Sequence, residues 1–429
     1  MRTPRVDAPA GMITGLRRGE VAEFRGIPYA EPPVGPLRWR GPQRRARFDG
    51  EFAATRWGAT PQRVPFSEVT TIPEPSVPGD DILNLNVFTP AESQPSLPVL
   101  VWIHGGGYAA GSAASPWYDG RSFARDGVVV VTISYRLAFD GFGALPGAEP
   151  NRGMLDWICA LEWVRDNIPA FGGDPDRVTV AGQSAGGGAV LALLACESAQ
   201  PLFARAISLS GVDRCLTPDA AEQVTADFAR ELGVPATIGG FDGVSDTELQ
   251  RALRRRRDAP DGELVSLMPV SGDDLLPYGI RAGLTRTGLQ KPLLLGSTAD
   301  EFDDRTETDR LFRSTCTRAA RARRDTARSW LYSFDWAAPV TGGATHCADI
   351  PFLFDVLDAP GVLDTLGATP QPLATFLHSE VVGFVGGADP AWQPAAGRRG
   401  DECRIYDTVS STRSGRYDDV VDMPTDSTY

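Results

Sequence analysis

The sequence predicts an α/β fold: a central, mostly parallel sheet with flanking helices, entered through a small N-terminal antiparallel hairpin region. Three observations carry this. Six runs, Leu97 to His104, Val128 to Tyr135, Arg177 to Ala181, Arg205 to Gly211, Lys291 to Ser297 and Trp330 to Trp336, are apolar, β-branched or aromatic along their length. Strands buried on both faces of a sheet read this way. Helical segments lie between several of them, which supplies the crossovers that parallel strands require. The opening "GMITGLRRGEVAEFRGIPYA" instead alternates short β-prone runs with turns, the pattern of hairpins.

The helices follow from spacing. "MLDWICALEWVRDNI" sets Met154, Ile158, Leu161, Val164 and Ile168 at helical intervals, and "DTELQRALRRRR" and "DRLFRSTCTRAARARR" are further candidates. In a parallel α/β sheet, functional groups belong at the carboxyl ends of the strands.

At 429 residues and 42% hydrophobic, the chain has material for a large core. No linker, repeat or low-complexity tract divides it, so residues 1–429 are expected to form a single domain. A net charge of -13 excludes nucleic acid and anionic membrane surfaces as expected partners. The basic run "RALRRRRDAP" reads as the solvated end of a helix. The N-terminus lacks an apolar core of signal-peptide length, and no stretch reaches the ~18 apolar residues of a membrane span. A soluble, cytoplasmic protein is expected. Cys159, Cys196, Cys215, Cys316, Cys347 and Cys403 are scattered without C-x-x-C pairs and are expected to be free thiols. With three histidines and no clustered ligand spacing, neither a metal nor a cofactor is expected.

The chemistry begins at "RVTVAGQSAGGGAVLALLAC": a β-branched strand, a glycine-flanked turn carrying Ser184, and an apolar helix. G-x-S-x-G between strand and helix is a nucleophile elbow, whose glycines admit a backbone too tight for side chains and lift the serine oxygen above the sheet. "HGGGY" places Gly105, Gly106 and Gly107 after the Leu97 to His104 run, where bare backbone N–H groups can approach a developing oxyanion. The Ala185 N–H is the second donor expected of an elbow.

A base must be a histidine. His104 opens the glycine loop and is expected to hold its shape, and His378 sits in an amphipathic helical stretch. His346 stands in a Gly/Thr-rich loop just after the Trp330 to Trp336 strand, the required position. A chain order of serine, acid, histidine is that of an α/β-hydrolase, so the acid should follow the Lys291 to Ser297 strand. Asp300, Glu301, Asp303 and Asp304 all qualify there. Tyr108, Trp117, Phe142 and Trp157 are aromatic candidates near the mouth, and Gln183 stands beside the nucleophile as a further candidate substrate contact.

The order of "FRGIPYAEPPVGPLRW", "DDILNLNV", "HGGGY", "YDG", "ISYRL", "NRGMLDW", "ALEWVRDNIPAFGGDPDRVTVAGQSAGG" and "HCADIPFLFD" resembles the type-B carboxylesterases, the α/β-hydrolase family of bacterial para-nitrobenzyl-type esterases, animal carboxylesterases and acetylcholinesterase. The resemblance implies Ser184 as nucleophile, Glu301 as acid and His346 as base, with Gly106, Gly107 and Ala185 supplying the oxyanion hole. It implies two-step hydrolysis of a small-molecule ester through an acyl-enzyme, with the aromatic residues pointing to uncharged, short-to-medium acyl esters. Amides, carbamates or lactones are the alternative substrates, and a non-catalytic binding role is the alternative function.

The chain departs from the family at several positions. Gln183 replaces the family's Glu and removes a negative charge next to the site. Ile82 stands for a disulfide cysteine, in keeping with a bacterial cytoplasmic member. Phe302 and Cys347 replace small residues after the acid and the base. Only 45 positions separate Glu301 from His346. A helical segment near 304–308 therefore reads as shortened, which predicts a more open site.

Overall fold

The computed structural model describes residues 3–61, 71–92, 95–259, 265–302 and 304–424. Among them, fourteen strands form two sheets. The small sheet joins β1 (Arg5–Ala8) and β2 (Gly11–Thr14), antiparallel, to β5 (Glu51–Ala53). The large one contains β3 (Leu16–Arg18), β4 (Val21–Pro28), β6 (Asn84–Pro90), β7 (Leu97–Ile103), β8 (Val129–Ile133) and β9 (Gly173–Gln183). It continues with β10 (Arg205–Leu209), β11 (Leu293–Thr298), β12 (Ser329–Phe334), β13 (Glu402–Tyr406) and β14 (Ser411–Ser414). Its order is β14-β13-β12-β11-β10-β9-β7-β8-β6-β4-β3.

The strands from β8 across to β13 run parallel, while β14 at one edge and β6, β4 and β3 at the other pair antiparallel. Together with helices such as Arg152–Asn167, Ala185–Ala195 and Gln371–Val385, this is the α/β-hydrolase architecture. The six apolar runs all become strands of this sheet. The N-terminal hairpins divide: β1 and β2 build the small sheet, whereas β3 and β4 extend the large one.

Alternation along the central strands explains why those runs carry no polar face. Val99, Val101 and Ile103 of β7 pack into one buried cluster, and Leu100 and Trp102 into the cluster on the opposite face. Strand β6 was not evident from its sequence because Asn84 and Asn86 interrupt it. Both are buried, and Asn86 is satisfied: its Oδ1 accepts from Gly26 N at 2.9 Å and its Nδ2 donates to Thr132 Oγ1 at 2.9 Å. The hydrophobic threshold that finds central strands passes over such a strand.

A buried ion pair ties the segment just after β8 to the helix Arg152–Asn167. Arg136 and Asp156, both at most 1% exposed, make a two-pronged contact, Nε to Oδ2 at 2.9 Å and Nη2 to Oδ1 at 2.7 Å. Arg136 Nη1 also reaches the Arg40 carbonyl at 2.7 Å, anchoring the N-terminal segment. Asp156→Ala would leave a guanidinium buried without its carboxylate, and the expected cost is about 3–5 kcal/mol. A lowered urea midpoint with an unchanged slope would register it.

No helix among the described residues is long and apolar enough to cross a membrane. The six cysteines are free thiols.

Candidate active site

The site assembles at the carboxyl ends of β7, β9, β11 and the loop after β12. Ser184 follows β9 directly and opens the helix Ala185–Ala195, with φ 58° and ψ -123°, a conformation a non-glycine residue holds only under surrounding constraint. The constraint is visible. Ser184 N donates to Leu209 O at 2.9 Å, and Ser184 O accepts from Gly188 N at 2.9 Å. A Cβ at Gly182 would lie 2.7 Å from the Ile103 carbonyl, so only glycine lets the elbow meet β7. Although Ser184 occupies the N-cap, its side chain makes no capping bond. Its Oγ is not committed to the helix.

The loop after β7 carries Gly106 and Gly107 with φ 109° and 59°. The Gly106 carbonyl is turned back into the loop, where it accepts from Ala109 N at 3.0 Å and Ala110 N at 2.8 Å. No acceptor among the described residues takes the Gly106 or Gly107 N–H. Ala185, first residue of its helix, has an N–H that no intrahelical carbonyl can reach. His104 is fully buried below this loop, its Nδ1 2.8 Å from Gly105 O and its ring stacked on Tyr135.

Of the acid candidates among the described residues, Glu301 is the one that meets His346. The two side chains are hydrogen-bonded through Glu301 Oε2 and His346 Nδ1, the backbone adds His346 N to Glu301 O at 2.9 Å, and Thr298 N fixes Oε1 at 2.9 Å. Asp300 turns away and accepts from Ala344 N at 3.1 Å, which shapes the histidine loop. Asp304 is exposed and caps a short turn through Thr306 N at 2.7 Å. Asp303 lies outside the described residues. His378 is buried far along another helix, between Leu353 O at 2.7 Å and Asp126 Oδ2 at 3.1 Å.

Burial opposes the charged form of His346, but Cys347 and Glu301 against the ring outweigh it and hold its pKa well above the usual histidine value. Burial pushes the Cys347 thiol up in turn, and the Glu301 carboxylate bonded to Nδ1 is the carboxylate charge against the ring. Phe302 and Phe312 flank the imidazole, with centroids 5.0 and 5.1 Å away.

Ser184, Glu301, His346, Gly106, Gly107 and Ala185 all line one cavity of about 570 Å³. Tyr108 and Gln183 also face it. Trp117 and Phe142 do not line it, contrary to the expectation that they contact substrate. Trp117 is fully buried with its indole N–H on Pro360 O at 3.0 Å, and Phe142 packs behind Tyr108 with centroids 4.9 Å apart. Trp157 is buried behind the same rings.

The wall residues that sequence reasoning missed include Tyr118, Met268, Leu311 and Phe312. Of these, Tyr118 lay in the "YDG" string. Leu311 and Phe312 come from the stretch after the segment read as shortened. Arg305–Glu307 forms one helical turn there, Thr308–Arg313 continues as a π-helix, and Ser314–Arg323 as an α-helix. Buried Asp213, just past β10, grips Arg318 of that helix at 2.9 and 3.0 Å and Thr315 at 3.1 Å. Just ahead of that helix, Glu307, Arg310, Leu311 and Phe312 line the cavity, so the side expected to be open carries these side chains.

The fold and this constellation define a carboxylic ester hydrolase of the α/β-hydrolase class. Residues 2–307 match the model of the carboxylesterase family, and the chain belongs to that family. It is 33% identical over 411 aligned positions to the para-nitrobenzyl esterase of Bacillus subtilis (strain 168), covering 81% of this chain and 82% of that one. It is 32% identical over 457 aligned positions to the phenmedipham hydrolase of Pseudarthrobacter oxydans, covering 90% of each. A solved para-nitrobenzyl esterase structure superposes with a TM-score of 0.88 at 29% identity, over 97% of this chain and 98% of the other.

Proposed function

We propose that Ser184 is the nucleophile, His346 the general base and Glu301 the carboxylate that orients it, with the N–H groups of Gly106, Gly107 and Ala185 forming the oxyanion hole. The observation that carries this reading is the Glu301–His346 pair opening into the same cavity as an elbow serine. His346 takes the Ser184 proton as Oγ attacks the ester carbonyl. The oxyanion is held by backbone donors, and the alcohol leaves with the proton that His346 returns. Water repeats the sequence on the acyl-enzyme. The largely apolar wall, with Tyr108, Tyr118, Met268, Leu311 and Phe312, supports uncharged esters of short-to-medium acids as substrates.

A bacterial, cytoplasmic setting belongs to the same proposal. It is supported by the free cysteines and by relatives from bacteria.

The test is turnover of a p-nitrophenyl acyl series across pH. Because the base must be neutral, kcat/KM should fall as pH drops through the His346 pKa. That pKa is raised, so the acidic limb is expected above the ordinary histidine value of about 6.5. A flat profile from pH 5 to 9, or the absence of turnover by folded protein, would overturn the reading.

A further inference from the structure

The reactive nitrogen of His346 has a partner that the mechanism above does not use. Gln183, the last residue of β9 and 1% exposed, places its Nε2 3.1 Å from His346 Nε2. Its backbone is set by pairing with Leu209 of β10, and its Oε1 lies beside Gly105, where a Cβ would come to 3.0 Å. Glu301 can only accept, so His346 Nδ1 carries the proton shared with it, and Nε2 of the neutral ring presents a lone pair. A hydrogen bond to that lone pair requires the carboxamide N–H as donor, which sets the amide orientation. Ser184 Oγ makes no hydrogen bond to protein among the described residues, so the amide and not the serine holds Nε2 at rest.

We infer, resting on the proposed role of His346 as base, that Gln183 is a positioning residue whose carboxamide donor stabilises the neutral imidazole and extends activity toward lower pH. The consequence runs through both halves of the proton cycle. At rest the amide N–H favours the base form and competes with Ser184 for Nε2. When Nε2 takes the serine proton it becomes a donor facing a donor. The imidazolium then gains nothing from Gln183 and is favoured to pass its proton to the leaving alcohol. The charged and titratable groups around the ring are Glu301 on its Nδ1 side, Cys347 in its own loop and Asp349 beyond, which Tyr332 OH holds at 3.0 Å. Glu74, Arg214, Glu307 and Arg310 stand on the cavity wall. Among these, Gln183 is the neutral donor at the nitrogen that does the chemistry.

The experiment compares kcat/KM against pH for the wild type, Gln183→Glu and Gln183→Met on one p-nitrophenyl ester, with His346→Ala as reference. In Gln183→Glu a carboxylate accepts from Nε2–H and favours the imidazolium. Its acidic limb should rise by about one pH unit, so that activity at pH 6 relative to the plateau falls about tenfold. Gln183→Met keeps the length of the side chain without a donor, and serves if a buried carboxylate prevents folding. Its limb should also move up, by a smaller amount. Limbs that coincide with the wild type, or a limb that moves down in Gln183→Met, would overturn the inference. If His346→Ala retains full activity, the base assignment itself has failed, and the two failures are thereby separate.

Discussion

Ser184→Ala is expected to lower kcat by about 10⁴- to 10⁶-fold while leaving the fold and the melting temperature nearly unchanged. The size follows from the removal of the only group at the elbow able to form the acyl-enzyme. Residual turnover would come from the oxyanion N–H groups and from water, with His346 still in place. The near-constant stability follows from the local geometry. The Ser184 side chain caps nothing, and the hydrogen bonds that hold the elbow, to Leu209 O and from Gly188 N, are made by its backbone. Alanine also takes the strained φ and ψ with no greater penalty than serine. A variant that loses activity together with stability would point to a structural role for the hydroxyl instead.

Glu301→Gln should lower kcat by about 10⁴-fold with little change in KM. The reason lies in the tautomer. The carboxylate accepts from His346 Nδ1, which leaves the Nε2 lone pair for the serine proton. A glutamine can be held by the Thr298 N–H through its oxygen only by offering its NH₂ to Nδ1, which moves the ring proton to Nε2. His346 then faces Ser184 with a donor and has no basic nitrogen to offer. The carboxylate also offsets the imidazolium charge in the transition state, and the amide does not. Steady-state kinetics at a pH above the acidic limb of the wild type would measure the loss without mixing in a pKa change.

The central sheet was legible because its strands are buried on both faces: β7 and β8 consist almost wholly of apolar residues, and no alternation is left to misread. The edges were not. In β13, Glu402 and Arg404 alternate with the buried Cys403 and Ile405, and β14 is polar throughout. Such strands take their place from the neighbour they pair with rather than from their own composition.

The same division holds at the site. Ser184, Gly106 and Gly107 announce themselves because backbone geometry demands glycine around them, and a local demand is written locally. Choosing Glu301 over Asp300 required the family pattern, since both follow β11 and only the path of the loop decides which carboxylate turns to His346. Trp117 and Phe142 were misplaced because an aromatic ring close to a motif in sequence can fill the layer behind the cavity as readily as its wall. Phe312 was unreadable. It reaches the imidazole from a π-helical turn, and the helix that continues from that turn is tied by Arg318 to Asp213, about a hundred positions earlier in the chain.

The most direct measurement is to treat the folded protein with a fluorophosphonate and map the adduct by peptide mass spectrometry. The expected result is a single covalent adduct on Ser184, formed with loss of esterase activity and absent from Ser184→Ala. A protein that hydrolyses esters before treatment but takes the adduct on another residue, or takes none, would contradict the assignment of Ser184 as the nucleophile.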